Sequence, residues 1–373
     1  MGQPTLAILA PYPFVPANSG GQKAVSAYVR YLSAVWPTIC LCSHGNDELE
    51  GVELIPLFEH HPSKYLNPLV GLRIRKVLKE RNVQFLGLQH HYHGLLLRPF
   101  LAGLDIKTFV FSHNIEYERW RSIGKWWWPL MKMTEKWVYN WVDAVFFISC
   151  HEQDRAPGLF GLPTSKCLYA PYPIDQAESP APSTTLKAKI GERHGFSPSE
   201  RILLFFGPQS YAPNLRAVEN IVFRIHPLLK EISDTPYRIL ICGGGLPKHY
   251  NGFADMEAEG IHYLGFVDDI EEYVMAADLI LNPINEGGGV KTKLVEAVAL
   301  GKTVVSTETG ALGIRTEHFG NKLVQVADED WQQFAEAVHN IFNSPDDKTP
   351  LKFYQEHYGP NAVKSITNWL TAN

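Results

Sequence analysis

The chain is short of cysteine, of surplus positive charge and of long apolar runs, and each shortage argues against a class of protein. Its 373 residues hold 5 Cys, an odd number, with no Cys-x-x-Cys pair. That argues against a disulfide framework and fits a reducing compartment. Lys and Arg total 34 against 39 Asp and Glu, a formal net charge of −5. A nucleic-acid binder usually carries a basic footprint, so no nucleic-acid partner is expected. No run reaches the ~18 apolar residues that a spanning helix needs. The opening segment has no basic stretch before its short apolar run, Leu6–Ala10, and reads as a buried strand rather than a signal peptide. The expected location is cytoplasmic, with peripheral contact at the inner face of the membrane left open.

What is present is an alternation. Apolar runs at Leu6–Ala10, Thr38–Cys42, Val52–Leu57, Phe85–Leu88, Thr108–Ser112 and Ala144–Ile148 alternate with helix-length amphipathic segments, notably 66–81 and 129–142. A second series runs Arg201–Phe206, Tyr237–Cys242, Ile261–Leu264, Asp278–Asn282, Thr303–Ser306 and Lys322–Val326, with a helix expected over 214–230. Continuous apolar strands separated by helices predict parallel sheets covered on both faces. Between the series lies a stretch rich in Pro and Ser that includes Pro171, Pro173, Pro180 and Pro182. It reads as a linker with one short helix, 184–194. The expected organisation is an α/β domain over 1–172, the linker over 173–199 and a second α/β domain over 200–351. Ligands of doubly wound sheets bind at the carboxyl ends of the strands.

The most informative segment runs from Leu281 to Ser306. An apolar run ends at Pro283, three glycines follow at Gly287, Gly288 and Gly289, and a helical pattern then runs to Gly301. Glycines let backbone N–H groups approach a phosphate, and a helix start adds partial positive charge. Lys291 and Lys293 bring two ammonium groups to the same turn, and Glu296 offers an acceptor-only carboxylate to a pair of sugar hydroxyls. These parts suit a nucleotide diphosphate with its ribose. The same residues also make an ordinary helix start with a tight turn. The P-loop pattern is absent, and Gly243-Gly-Gly245 is no dinucleotide fingerprint because the third glycine would fall at Lys248.

In their order, these motifs resemble the donor half of the large retaining glycosyltransferase family 4 (group 1). The resemblance rests on Phe205-Phe-Gly207 with Pro213-Asn214, Leu240-Ile-Cys-Gly-Gly244, Gly265-Phe-Val-Asp268, Ala277-Asp278, Glu296-Ala297, Gly301-x-x-Val304-Val305 and Thr309-Gly-Ala311. It implies a GT-B fold, two doubly wound Rossmann-like domains facing across a cleft, with a C-terminal helix (352–373) crossing back onto the first. It assigns Gly207, Asn214, Gly243, Phe266, Val267, Gly287, Gly288, Gly289 and Glu296 to the donor, with Phe266 and Val267 at the base. Lys291 and Lys293 would hold the pyrophosphate. One feature departs from the family's Glu-x7-Glu motif: eight residues before Glu296 stands Gly288, and Glu286 is out of register. The loop is similar to a sub-branch with a Gly-Gly-Gly-x-Lys-x-Lys-x-x-Glu-Ala pattern.

In the first half, Gly20 and Gly21 precede a helical pattern, and Ser112-His113-Asn114-Ile-Glu116 follows an apolar run. A His at a strand's carboxyl end can hydrogen-bond substrate or move a proton. The resemblance places Gly20 and Gly21 against the donor and His113 beside the transferred sugar, with Asn114 and Glu116 as its neighbours. Gln89-His-His-Tyr-His93 lacks a carboxylate or Cys at ligand spacing and reads as an acceptor contact or a surface loop rather than a metal site. Five of the 9 Trp fall at Trp126, Trp127, Trp128, Trp137 and Trp141. The i, i+4 pair Trp137 and Trp141 is expected to face the sheet; Trp126–Trp128 suit an acceptor or a membrane interface.

The expected function is metal-independent, hexosyltransferase-like sugar transfer with retention, from a UDP-, GDP- or dTDP-linked donor to a glycan or lipid-linked acceptor. No cofactor is expected. Two alternatives stand beside it: a nucleotide-sugar-binding protein without turnover, motivated by the missing first Glu, and a GT-B sugar-nucleotide epimerase.

Overall fold

The computed structural model describes residues 5–373 apart from 60, 66, 182, 198 and 345–346. Leu66 and Pro182 of the segments above therefore lie outside the described residues. The chain forms two compact units, one of residues up to Asp175 with Gly288–Val290 and Glu356–Asn373, the other of Gln176–Gly287 and Lys291–Gln355.

The first unit contains strands β1 (Thr5–Ala10), β2 (Thr38–Ser43), β3 (Glu53–Phe58), β4 (Val83–Gln89), β5 (Lys107–Ser112), β6 (Ala144–Phe147) and β7 (Cys167–Tyr169). They form one sheet in the order β3-β2-β1-β4-β5-β6-β7, every neighbouring pair parallel. The second contains β8 (Arg201–Phe206), β9 (Tyr237–Cys242), β10 (Ile261–Gly265), β11 (Leu279–Asn282), β12 (Val304–Thr307) and β13 (Leu323–Val326). Its order is β10-β9-β8-β11-β12-β13, again wholly parallel. Both are Rossmann-like, as the alternation of apolar runs and helices predicts. The reason is visible in burial: β2, β6, β11 and β12 are buried along their whole length, so apolar side chains are needed on both faces. One core gathers Leu9, Leu41, Leu86, Val110 and Phe147; the other gathers Leu203, Ile239, Leu281, Val305 and Phe334.

Local chemistry sets the helix starts. Ser19 caps the helix Gly20–Ser33 through the Gln22 N–H, and Asn67 caps Pro68–Glu80 through the Leu69 N–H. The expected single helix over 214–230 is interrupted. Helical segments Ala212–Asn220 and His226–Ile232 flank a π turn at Ile221–Ile225. Pro227 explains the turn, because it has no N–H to donate and its ring crowds the carbonyl four residues back. The three-residue edge strand β7 is too short for an apolar pattern to announce.

The C-terminal residues complete the first unit. Ile174 donates its N–H to His357 O and accepts the N–H of Gly359, both at 2.8 Å. Trp369, on the helix Lys364–Ala372, sets its ring against Phe85, Phe109 and Phe146 at centroid distances of 6.1, 5.6 and 6.2 Å. Between β7 and β8, the helix Thr184–His194 packs on the second unit through Lys187 Nζ and Asp278 Oδ2, 2.7 Å apart.

Candidate functional site

In each sheet the strand order reverses once, between β1 and β4 in the first and between β8 and β11 in the second. The chain leaves in opposite directions on either side of such a point, which opens a crevice at the carboxyl ends. Part of the candidate set collects at these two places; Phe266 and Val267 follow β10, at the edge of the second sheet, and Trp126–Trp128 lead into the helix Trp128–Trp141.

On the first unit, Tyr12 follows β1 and His90 follows β4, and the Tyr12 hydroxyl meets His90 Nε2 at 3.0 Å across the reversal. His113, just after β5, stacks its ring 4.6 Å from His90, and its Nε2 meets Gln89 Oε1 at 2.6 Å. Glu116 is buried, and its Oε1 stands 3.7 Å from His90 Nδ1. Glu116 Oε2 accepts hydrogen bonds from Tyr92 at 2.5 Å and from Arg119 at 2.8 and 3.0 Å. Asn114 Nδ2 reaches Glu116 Oε1 at 3.5 Å. Thus His113, Asn114 and Glu116 fall into one polar cluster, joined by Tyr12, Gln89, His90, Tyr92 and Arg119.

Burial sets the protonation of this cluster. It pushes His90 down to about 3 and His113 well below the usual histidine range, with each histidine disfavouring charge on the other or on a neighbouring histidine. Both rings are therefore neutral hydrogen-bonding groups at pH 7, which narrows the role open to His113. Glu135 lies beneath. Its two oxygens accept the N–H groups of Glu116 and Tyr117 at 3.0 and 3.2 Å, and burial raises its carboxyl to about 8.

The Gln89–His93 run is not a surface loop. Gln89, His91 and His93 are buried, His91 Nε2 touches Met131 Sδ at 3.0 Å, and the His93 ring packs on Phe58 and Tyr65. Among the described residues, no group of three or more His, Cys, Asp or Glu could hold a metal ion. The spacing of these histidines is not their informative feature. The usable signal was their place directly after the strand next to β1.

Gly20 and Gly21 open the helix after β1, and a Cβ at Gly21 would meet nothing within 4 Å. Gln22 braces that turn by donating to Pro13 O and accepting from Asn18 N, both at 2.9 Å. Trp126 is 86% exposed, Trp127 packs on Trp120 with centroids 4.6 Å apart, and Trp128 leans on the core beside Tyr117. The helix Trp128–Trp141 buries Glu135, Val138 and Tyr139 instead of the expected Trp137, whose ring lies on the exposed side.

On the second unit, the turns after β8, β9 and β10 are stitched together. Gly207 N–H donates to Cys242 O at 3.0 Å and Gly243 N–H to Gly265 O at 2.6 Å. Both glycines hold positive φ, +134° and +128°. A Cβ on Gly243 would lie 2.2 Å from Gly207 O, and one on Gly207 would lie 3.0 Å from Lys293 Nζ. Only glycine allows this approach of backbone to backbone and to the lysine.

Lys293, in the first turn of the helix Thr292–Ala299, donates to Asn214 Oδ1 at 2.8 Å, and its ammonium stands 4.3 Å over the Phe205 ring. Asn214 is turned by its own bond to Pro208 O at 2.9 Å. Desolvation, with the like charge of Lys291 adding to it, lowers Lys293 to about 7. Lys291 Nζ donates back to Gly287 O at 2.9 Å, which folds the glycine loop onto the helix start. Gly288 and Gly289 lie in that loop, and Glu296 is half-buried one turn into the helix. Phe266, largely exposed, and Val267 line an open pocket with Arg193, His194 and Tyr273. Glu286 is ion-paired to Arg216 at 2.5 Å, consistent with its being out of register. The structure adds Asn282, fully buried at the end of β11, which donates to Ser306 Oγ at 2.9 Å and Gly310 O at 3.1 Å. It ties two strand ends together and carries no sequence signal of its own.

Comparison with known proteins bears on the family and the fold. Residues 19–178 match the family model described as Glycosyltransferase Family 4, and residues 200–344 match the one described as Glycosyl transferases group 1. No curated protein matches the chain. Among solved structures, Anabaena Alr3699/HepE in complex with UDP is similar with a TM-score of 0.74 at 12% identity, over 98% of this chain and 100% of that one. A glycosyltransferase from Rickettsia africae gives 0.67 at 15% identity, over 100% and 97%. The UDP-GlcNAc 2-epimerase of Methanocaldococcus jannaschii gives 0.59 at 14% identity, over 99% and 100%. At these identities the structures show the shared GT-B fold.

Proposed function

This chain is a GT-B protein built from two glycosyltransferase domains, one of family 4 and one of group 1, and we propose that it moves a sugar from a nucleotide-diphosphate donor to an acceptor hydroxyl with retention of configuration. The observation that carries the reading is the second unit's strand reversal, where Gly207, Asn214 and Lys293 converge with the glycine loop. The donor diphosphate would lie at this helix start, facing Lys291, Lys293 and the loop N–H groups of Gly287, Gly288 and Gly289. Glu296 would accept the ribose hydroxyls, and the base would rest near Phe266 and Val267.

The chemical contribution is electrostatic. As the glycosidic bond to phosphate breaks, charge develops on the leaving diphosphate, and two preorganised ammonium groups stabilise it without a metal. Gly20, Gly21 and His113 would approach the donor sugar. Neutral His113 would accept or donate a hydrogen bond at a sugar hydroxyl, and Asn114, Glu116 and Trp126–Trp128 would face a glycan or lipid-linked acceptor in glycan, polysaccharide or glycolipid synthesis.

UDP is the first nucleotide to try, given the UDP complex of a protein with this fold. Glu296→Ala should weaken UDP binding by roughly tenfold while leaving the affinity for inorganic pyrophosphate within about threefold, because one carboxylate-to-hydroxyl pair is worth about 1.5 kcal/mol. Calorimetric titration of both ligands checks this. Equal loss for both would remove Glu296 from the ribose.

A further inference from the structure

Beyond Trp126, which the transfer reading already sets toward an acceptor, the first unit exposes a further apolar surface. Along the helix Trp128–Trp141, Leu130, Met133 and Trp137 follow one another at spacings of three and four and share a face. They are 62%, 69% and 38% exposed, and Trp126, just before the helix, is more exposed still. The opposite face, Val138 and Tyr139, is in the core. A soluble surface seldom strings large apolar side chains together in this way.

The exposed charge of this stretch of chain, 116–141, is basic. Arg121, Lys125 and Lys136 are exposed in the same stretch, the Arg121 guanidinium stands 5.2 Å over the Trp128 ring, and the Arg98 guanidinium stands 6.0 Å over the Trp137 ring. The three acids of the stretch are turned inward or paired. Glu116 and Glu135 are buried, and Glu118 holds Arg155 at 2.6 Å. A local basic face stands out in a chain whose net charge is −5. Apolar and aromatic side chains followed by exposed cations match the boundary of an anionic bilayer, with the apolar groups in the acyl region and the cations at the headgroups. Among the described residues no helix is long and apolar enough to cross a membrane, so such contact would be peripheral.

We propose that the face formed by Trp126, Leu130, Met133 and Trp137 with Arg121, Lys125 and Lys136 docks the protein on an anionic phospholipid surface. This does not depend on the transferase reading, and its test uses no enzymatic readout. The full chain is floated with vesicles of equal parts phosphatidylglycerol and phosphatidylcholine, and with phosphatidylcholine alone. It floats with the anionic vesicles and at least roughly tenfold less with the neutral ones, and the binding weakens as salt rises from roughly 50 to roughly 500 mM. Leu130→Ser with Met133→Ser, and separately Lys125→Glu with Lys136→Glu, each reduce binding by roughly tenfold or more at an unchanged thermal unfolding midpoint. Absence of flotation, or flotation that both double variants retain, overturns the proposal. So does a dimer in sedimentation equilibrium that Leu130→Ser with Met133→Ser abolishes, since the face would then belong to a second copy.

Discussion

At the scale of single residues, Lys293 concentrates the account. Its ammonium is held between Asn214 Oδ1 and the Phe205 ring, and desolvation brings it to about 7 from its ordinary 10.5. A desolvated cation beside the like charge of Lys291, only partly offset by Glu296, is primed for an anion, and a bound diphosphate would restore its affinity for a proton. The sign follows. Below about pH 7 the lysine is already charged, so binding takes up no proton. At about pH 8 it is mostly neutral, so each UDP bound takes up roughly one proton, and affinity falls as pH rises further. Titration calorimetry in buffers of different ionisation enthalpy measures the uptake directly, and Lys293→Ala should abolish it while costing about 2 kcal/mol of UDP affinity, roughly thirtyfold. Uptake that persists in the variant assigns the proton to another group.

At the scale of elements, the first unit's polar cluster depends on a contact between two helices. Glu135, on Trp128–Trp141, accepts the first N–H groups of the helix Glu116–Ser122, and Tyr139 donates to the same carboxyl at 3.0 Å. It thereby fixes the segment that presents Glu116 to His90 and Arg119. Glu135→Ala leaves two buried N–H groups unpaired and should lower stability by about 2–4 kcal/mol, read by chemical denaturation. Glu135→Gln, which keeps one acceptor, should recover part of that loss. Equal losses in both variants would mean that the charge, rather than the acceptor, matters. This contact was not legible in the sequence, because an interior Glu at position 135 looks like any solvated helix residue until the chain is folded. The strands were legible, because a parallel strand buried on both faces must be apolar throughout; Arg201–Phe206 and Tyr237–Cys242 are read to the residue. Trp137 was misread for the opposite reason. Spacing shows which residues share a face, but burial of Val138 and Tyr139 decides which face turns inward.

At the scale of the molecule, the two sheets share a strand order about one reversal, and each brings part of its candidate set to that point. The donor side was the more legible. Its three consecutive glycines, the two lysines and Glu296 lie within ten consecutive positions, 287–296, so their pattern survives as a motif. The first unit's cluster is assembled from Tyr12, Gln89, His90, His113, Glu116 and Arg119, drawn from three separate stretches of the chain, and only the fold brings these together. The central claim is that the donor sugar is passed to a second molecule. It is tested most directly by mass spectrometry of reactions containing the protein and a panel of UDP-, GDP- and dTDP-sugars, with and without glycan and lipid-linked acceptors. The account predicts a glycosylated acceptor and one equivalent of free nucleoside diphosphate, both dependent on the acceptor. An isomerised sugar nucleotide formed with no acceptor present, or tight nucleotide binding with no product from any donor, would contradict it.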